Sequence, residues 1–381
     1  MDSSKLKMLE LSESQFPRTS RAIQEALKEG VAPGFVAGIW QKSEPDVIRV
    51  AAAGNRRIIP TELPMAPDTV FDLASVSKVF ATGALAAVLV DRGWLTWDAP
   101  VRAFFPEYEH ANIQVRHLLA HTSGLPAWDP IWEKLQKGFK VFLEKPIYSI
   151  DIEKRQGMAR DIVFAIEPEV AVETRALYSD LSFIILGFIL EKITQMPLDR
   201  AVSKFVWEPM GILGAYYRRV NRSLLDSIDD SVAATEQCFW RGGILQGQVH
   251  DDNCLAMGGY AGHAGAFGTV RDVLHFSKKL MERFLTPSTL KAIWTRVGNP
   301  HGCDRTLGWD TPSGENPSSS RRFSTYSVGH LGYTGTSLWI DPDVGLAVSL
   351  LSNRVHPSRE NIKIRAFRPR FHEAIRLDLN F

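Results

Sequence analysis

The stretch from Val76 to Asp91 does most to limit what this chain can become. Ala81, Leu85, Val88 and Leu89 fall on one helical face and no proline interrupts the run, so the segment reads as a long apolar helix. Gly83 lowers its helix propensity without overturning that reading. The helix starts where an extended, polar-spotted segment, Phe71-Asp72-Leu73-Ala74, gives out, and its mouth carries Ser75 and, one turn later, Lys78. A serine at a helix start has its hydroxyl near free backbone N–H groups, and a residue one turn on shares its face. Serine hydroxyls are poor nucleophiles at neutral pH and need a base, or an amine of depressed pKa, within hydrogen-bond reach. Ser75 and Lys78 are spaced to form such a pair. Alone the spacing says little: it recurs at Ser4/Lys7, in a polar tail, and at Ser288/Lys291, at an exposed helix start. Without support from elsewhere, Ser75 is equally well a helix cap and Lys78 a surface lysine.

The rest of the chain builds a sheet around this helix. An amphipathic helix over 16–29 is followed by strands at Gly34–Trp40 and Val47–Ala53, the second closed by Gly54-Asn55. Strands without βαβ spacing point to an antiparallel sheet covered by helices. Strands return near Ser324–His330, Ser337–Ile340 and Leu346–Leu351, and Asp341-Pro342-Asp343-Val344-Gly345 joins the last two as a hairpin. A final amphipathic helix covers about Glu360–Arg376, with Pro369 as a point where it kinks or splits. Between the two sets of strands the pattern is helical: Val115–Ala120, much of 128–166, and Tyr178–Ile193 with Leu181, Ile184, Ile185, Phe188 and Ile189 on one face. The expected fold class is α+β, an antiparallel β-sheet flanked by helices with an inserted helical subdomain. Residues 1–100 and 251–381 form the sheet part and 101–250 the mostly helical part, with the active site in the cleft between them.

Composition narrows the function. The chain of 381 residues carries 44 basic and 43 acidic side chains, a net charge of +1, which offers no electrostatic case for nucleic acid or an anionic membrane. We find no run of about 18 apolar residues that would predict a bilayer span. Met1-Asp2-Ser3-Ser4-Lys5-Leu6-Lys7 lacks the apolar core of a signal peptide, so the sequence as written is expected to be cytoplasmic, or periplasmic or secreted if a leader has been removed. Cys238, Cys254 and Cys303 are odd in number and far apart, which favours reduced thiols over a disulfide framework. No cofactor is expected. His117 and His121 have metal-ligand spacing, but no glutamate follows His117 as in a zinc protease helix. Val249-His250-Asp251-Asp252, with Glu236 and His263, forms a second polar cluster, read as cleft lining or loop structure rather than a metal site. No Gly-x-Ser-x-Gly nucleophile elbow is present.

Two further stretches raise Ser75 above a helix cap. Tyr178-Ser179-Asp180 opens the strong helix, and a phenol there with its pKa lowered by Lys78 could carry a proton to and from the serine. His330-Leu331-Gly332-Tyr333-Thr334-Gly335 lies where a strand ends, and its glycines would let a substrate lie against backbone N–H donors. Ser75-Val76-Ser77-Lys78, Tyr178-Ser179-Asp180 and His330-Leu331-Gly332, in that order, resemble the three motifs of the penicillin-recognising serine enzymes. The resemblance is greatest to the class C β-lactamase-like group, with its D-amino-acid peptidases and carboxylesterases. His117-Leu118-Leu119-Ala120-His121-Thr122-Ser123-Gly124-Leu125-Pro126, Ala261-Gly262-His263-Ala264-Gly265 and Leu351-Ser352-Asn353-Arg354 also resemble that family, so the likeness covers about 20–375.

This resemblance implies Ser75 as the acylated nucleophile, with Lys78 holding its proton relay and stabilising an ionised Tyr178 as general base. It implies an oxyanion hole from the N–H groups of Ser75 and Tyr333, and substrate contacts at Asp180, His330, Gly332 and Thr334. Two departures bear on the substrate. Asp180 stands where β-lactamases of the group usually have asparagine, and His330 where they usually have lysine. Both remove positive potential, so a substrate carboxylate is held less well. The expected function is therefore hydrolysis of an ester, amide or peptide through an acyl-enzyme, with weak or no β-lactamase action. The alternative is a catalytically idle relative that binds a cell-wall fragment or a protein partner. The sequence leaves the oligomeric state open.

Overall fold

The computed structural model describes residues 6–141, 147–220 and 228–380. Its main sheet has seven strands: β1 (Lys7–Glu10), β2 (Gly34–Gln41), β3 (Val47–Arg57), β4 (Leu63–Pro64), β5 (Val328–Leu331), β6 (Ser337–Asp341) and β7 (Leu346–Ser352). They lie in the order β1-β3-β2-β7-β6-β5, with β4 paired to β3. Every pairing is antiparallel except β1 with β3, where Lys7 faces Val47 in a parallel register.

Strand β2 is buried along nearly its whole length because both faces of the sheet are covered. Alternate side chains go to opposite sides. Phe35, Ala37 and Ile39 join Trp339, Val348 and Leu350 beneath two helices, α1 (Pro17–Lys28) and the C-terminal Ile364–Asp378. Phe35 and Phe367 meet there with ring centres 5.2 Å apart. Val36, Trp40 and Ile48 face the larger core, which runs without a break into the helices of residues 101–250.

The segment that begins at Ala74 is the pivot of that larger core. It is a short 3₁₀ turn (Ala74–Val76), a wide π turn (Lys78–Gly83) and then helix α2 (Ala84–Asp91). The sequence suggested one uninterrupted α-helix. Gly83 accounts for the wide turn, since a Cβ at that position would lie 2.8 Å from the Lys78 carbonyl oxygen. Phe80 packs against Trp207 and Phe276 at 5.4 and 5.2 Å. The expectation that no apolar run reaches membrane-spanning length needs correction: Ala74–Asp91 is long and apolar enough by that measure alone. Its apolarity is used internally, with 78% of the stretch buried in the protein.

Helix α3 (Asp180–Thr194) is buried on all sides from Leu181 to Leu190, where only Ser182 is polar. Ser179 caps it, accepting a hydrogen bond from the Ser182 amide at 3.2 Å. Helix α4 (Val270–Met281), capped by a reciprocal Thr269/Asp272 box, lies on β2 and β7. The C-terminal helix, α5 (Ile364–Asp378), runs through Pro369 as one element, although the proline leaves the Arg365 carbonyl without its intrahelical donor.

Several elements had no counterpart in the sequence reading, two of them near the site or the sheet edge. Strand β1 is exposed at all four residues, so it lacks the alternation that marks a strand. The glycine-rich run contains the strand Ala266–Gly268, which pairs with Phe71–Asp72 on one side and Tyr216–Tyr217 on the other. That small sheet holds the residues preceding Ser75 against the glycine loop. Strand β3 also continues past Gly54 to Arg57 with a register shift, where a turn was expected.

The glycine loop is seated on α3 at Gly262. A Cβ there would fall 1.8 Å from the Phe183 carbonyl oxygen and 3.0 Å from the Gly187 amide. Gly262→Ala must therefore part the loop from the helix, and unfolding in urea should show a loss of about 1–3 kcal/mol. An unchanged midpoint would show that the loop is not held this closely.

Candidate active site

The cleft forms where the mouth of the 74–91 segment meets the start of α3, the glycine loop and the β5–β6 turn. Thr334 Oγ1 donates to the Asp72 carbonyl at 2.8 Å and Thr336 Oγ1 to the Leu73 carbonyl at 2.9 Å. These bonds stitch the turn to the strand that leads into Ser75, and so bring Tyr333 alongside the serine. Ser75 and Tyr333 line one cavity of about 360 Å³, together with Trp128, Tyr178, Asp180, His263 and the His250–Asp252 segment.

Lys78 is fully buried at the centre, and its ammonium donates three hydrogen bonds. They go to Ser75 Oγ at 3.0 Å, Asp180 Oδ1 at 2.7 Å and the His263 carbonyl at 3.0 Å. Burial pulls the pKa of Lys78 down, but Asp180 and then Tyr178 outweigh it and hold the group above its ordinary value. Lys78 is thus a cation with every proton engaged. The Tyr178 phenol lies against Lys78 and Ser75, with the Lys78 nitrogen 4.9 Å from the centre of its ring.

An ionised Tyr178, as the resemblance implies, is not the resting state. Burial raises the phenol above its ordinary pKa, and the negative charge of Asp180 adds to it, while Lys78 only partly offsets the two. Burial is the larger cause of the difference, and the acidic residue in the second motif adds to it by neutralising the lysine that would otherwise stabilise a phenolate.

His330 is buried, with Nδ1 directed at the Leu331 carbonyl at 2.9 Å, which leaves Nε2 as a bare acceptor. Burial first, and then Lys78, push its pKa well below the ordinary imidazole range, so it is neutral at neutral pH. His330, Gly332 and Thr334, assigned to substrate by the resemblance, do not line the cavity. The Gly332 amide donates to Thr336 and its carbonyl accepts from Arg368, while the Thr334 hydroxyl is taken by Asp72. Both residues hold the turn in place. The Tyr333 amide, by contrast, has no hydrogen-bond partner among the described residues.

His121 and Arg305 also reach Tyr178. The His121 ring lies against it with centres 4.5 Å apart, and His121 Nδ1 accepts the Ser179 amide at 3.0 Å. The Arg305 guanidinium is 5.6 Å from the centre of the Tyr178 ring and is paired with Asp310. His121 stands in a stretch that resembles the family but drew attention only for its metal-ligand spacing to His117, and Arg305, a lone arginine in a loop, gave no signal. His117 serves its own helix: Nδ1 accepts the Gln114 amide at 3.1 Å and Nε2 lies 3.3 Å from Glu173.

The second polar cluster lines the cleft. Asp251 accepts from His263 Nε2 at 2.8 Å and from the Cys254 amide at 2.7 Å; burial opposes its charge, but these partners hold its carboxyl well below the usual range. Burial likewise opposes the charge on Glu236, yet His250 and Arg359 bring its pKa down to about 2. Among the described residues no group of side chains is arranged to hold a metal ion.

A buried lysine bonded to a helix-mouth serine, with a phenol on both, defines a serine hydrolase of the acyl-enzyme type. The family model described as Beta-lactamase matches residues 19–368, and the chain belongs to that family. A putative D-alanyl-D-alanine carboxypeptidase from Salmonella agona (strain SL483) is 27% identical over 327 residues, which cover 78% of this chain and 72% of that protein. Among solved structures, EstCE1, a hydrolase with promiscuous acyltransferase activity, superposes with a TM-score of 0.70 at 20% identity, covering 95% of this chain and 98% of that one. The octameric penicillin-binding protein homologue from Pyrococcus abyssi has a TM-score of 0.67 at 22% identity, covering 96% and 77%. These likenesses bear out an α+β fold of the β-lactamase/DD-peptidase type.

The pairing of Lys78 with Asp180 sets the direction of a pH test. Asp180 raises the pKa of both Lys78 and Tyr178, so removing its charge lowers both. If phenolate is the active base, kcat/KM for a neutral ester rises with pH, and Asp180→Asn moves that rising limb to lower pH. A limb that stays in place or moves upward would show that Asp180 does not control the base.

Proposed function

We propose that this protein hydrolyses neutral esters or amides through an acyl-enzyme on Ser75, with Tyr178 as the proton carrier and Lys78 as its fixed cationic partner. The observation that carries this reading is the Lys78 ammonium, bonded at once to the serine hydroxyl and to Asp180. In the first step Ser75 Oγ attacks the substrate carbonyl carbon as its proton passes to the phenolate form of Tyr178. The oxyanion that forms is received by the backbone N–H groups of Ser75 and Tyr333. Collapse expels the alcohol or amine, which takes the proton from Tyr178. Water then attacks the acyl-enzyme by the same route, releasing the acid and restoring Ser75.

The preference for a neutral substrate rests on charge. In the resting site the Lys78 cation is matched by Asp180, and His330 is neutral, so neither offers an unmatched positive charge to a carboxylate. The likeness to a putative D-alanyl-D-alanine carboxypeptidase keeps a peptide in the range of amide substrates, but the site chemistry favours one without a carboxylate beside the scissile bond.

A chromogenic neutral ester tests the assignment. Tyr178→Phe should lower kcat/KM by about 10²–10⁴-fold. Ser75→Ala should abolish turnover, a loss of about 10³-fold or more, with the circular dichroism spectrum unchanged. Retained turnover in Ser75→Ala would overturn the reading. So would a wild-type protein that binds cell-wall fragments but cleaves no ester or amide, which would point to a binding relative.

A further inference from the structure

The cleft continues beyond the reacting groups. Asp252 and Arg359 line the Ser75 cavity and also a second hollow of about 600 Å³, so the two share a border. The second hollow is aromatic. Trp132 and Trp240 stack with ring centres 4.9 Å apart and planes 16° from parallel. The Arg241 guanidinium, 4.9 Å from the Trp240 ring centre, holds that ring further. Phe239 follows the strand Gln237–Cys238 and is 90% exposed, an unusual position for a phenyl ring. Buried Cys238 and half-buried Pro357 add to the apolar lining.

The charges at the border are matched among themselves. Arg359 Nε contacts both Glu236 carboxylate oxygens, at 2.8 and 2.7 Å, and its terminal nitrogen is 3.7 Å from Asp252. Asp252 is in turn paired with Arg241. A group passing from one cavity to the other therefore meets no unmatched charge, and a charged group would have to break an existing pair. The far side offers aromatic surface that is otherwise left to water.

We propose that the hollow beside Trp132, Phe239 and Trp240 is a subsite for a neutral apolar arm, the size of a phenyl ring or larger, of the substrate cleaved at Ser75. The inference rests on the serine-hydrolase reading and adds the substrate class to it: bulky, uncharged esters or amides. Phe239 is the adaptable wall of the subsite, and the stacked tryptophans are its rigid one.

Paired esters test it. p-Nitrophenyl phenylbutyrate against p-nitrophenyl acetate places the arm on the acyl side; phenylbutyl acetate against ethyl acetate places it on the alcohol side. In at least one pair the wild type should favour the arm-bearing ester, and Phe239→Ala should reduce that kcat/KM ratio about tenfold. Phe239 is exposed, so folding is not at stake, and Phe239→Glu should reduce the ratio further. Equal ratios in wild type and both variants would overturn the subsite. A second readout separates this from failure of the parent reading: calorimetric binding of uncleaved phenylbutyl acetate to Ser75→Ala protein, with and without Phe239→Ala. Binding that weakens about tenfold on loss of Phe239 upholds the subsite even if the wild type cleaves no ester. Binding unaffected by Phe239, or no binding at all, rejects it.

Discussion

A lysine ammonium removed from water must have its charge met and its protons accepted, and the site is arranged around that requirement. Lys78 is met by one carboxylate, one hydroxyl and one carbonyl, which come from three separated parts of the chain. Asp180 opens α3, Ser75 precedes the wide turn, and the His263 carbonyl comes from the glycine loop. Each of these positions is fixed by something else: the Ser179 cap, the Gly83 turn and the contact of Gly262 with α3. Loss of one partner would leave a buried cation uncompensated, so the geometry of the nucleophile is tied to the packing of the core.

The same requirement decides the chemistry. A free ammonium beside Tyr178 would favour phenolate, whereas burial, joined by an ammonium closed against Asp180, leaves the phenol protonated at rest. His330 is neutral because burial and the nearby cations disfavour a second charge. The family scaffold is thus kept while its positive field is reduced, which fits a substrate recognised by apolar surface more than by a carboxylate. The matched charges around Arg359 and the open aromatic hollow beyond them fit the same pattern.

Much of this was legible in the sequence, and for reasons that can be named. The apolar faces of α2 and α3, the β6–β7 hairpin and the strand β2 follow from periodicity and turn residues. The three motifs placed Ser75, Lys78, Tyr178 and Asp180 together, and the structure brings them within contact of one another. What sequence could not show depends on tertiary contact. Strand β1 is exposed on both faces and has no pattern. Arg305 reaches Tyr178 only through the path of its loop. Gly332 and Thr334 lie beside the motif histidine but turn inward, since their polar groups are taken by Arg368, Thr336 and Asp72. The state of Tyr178 depended on a balance between burial and two opposite charges, which spacing alone cannot weigh.

Within this buried network Ser75 is the proposed nucleophile. Intact-protein mass spectrometry after incubation with a fluorophosphonate, followed by peptide mapping, tests it most directly. One covalent adduct per chain is expected, carried by Ser75 and absent from Ser75→Ala. An adduct on another residue, or an unlabelled wild-type protein, would contradict it.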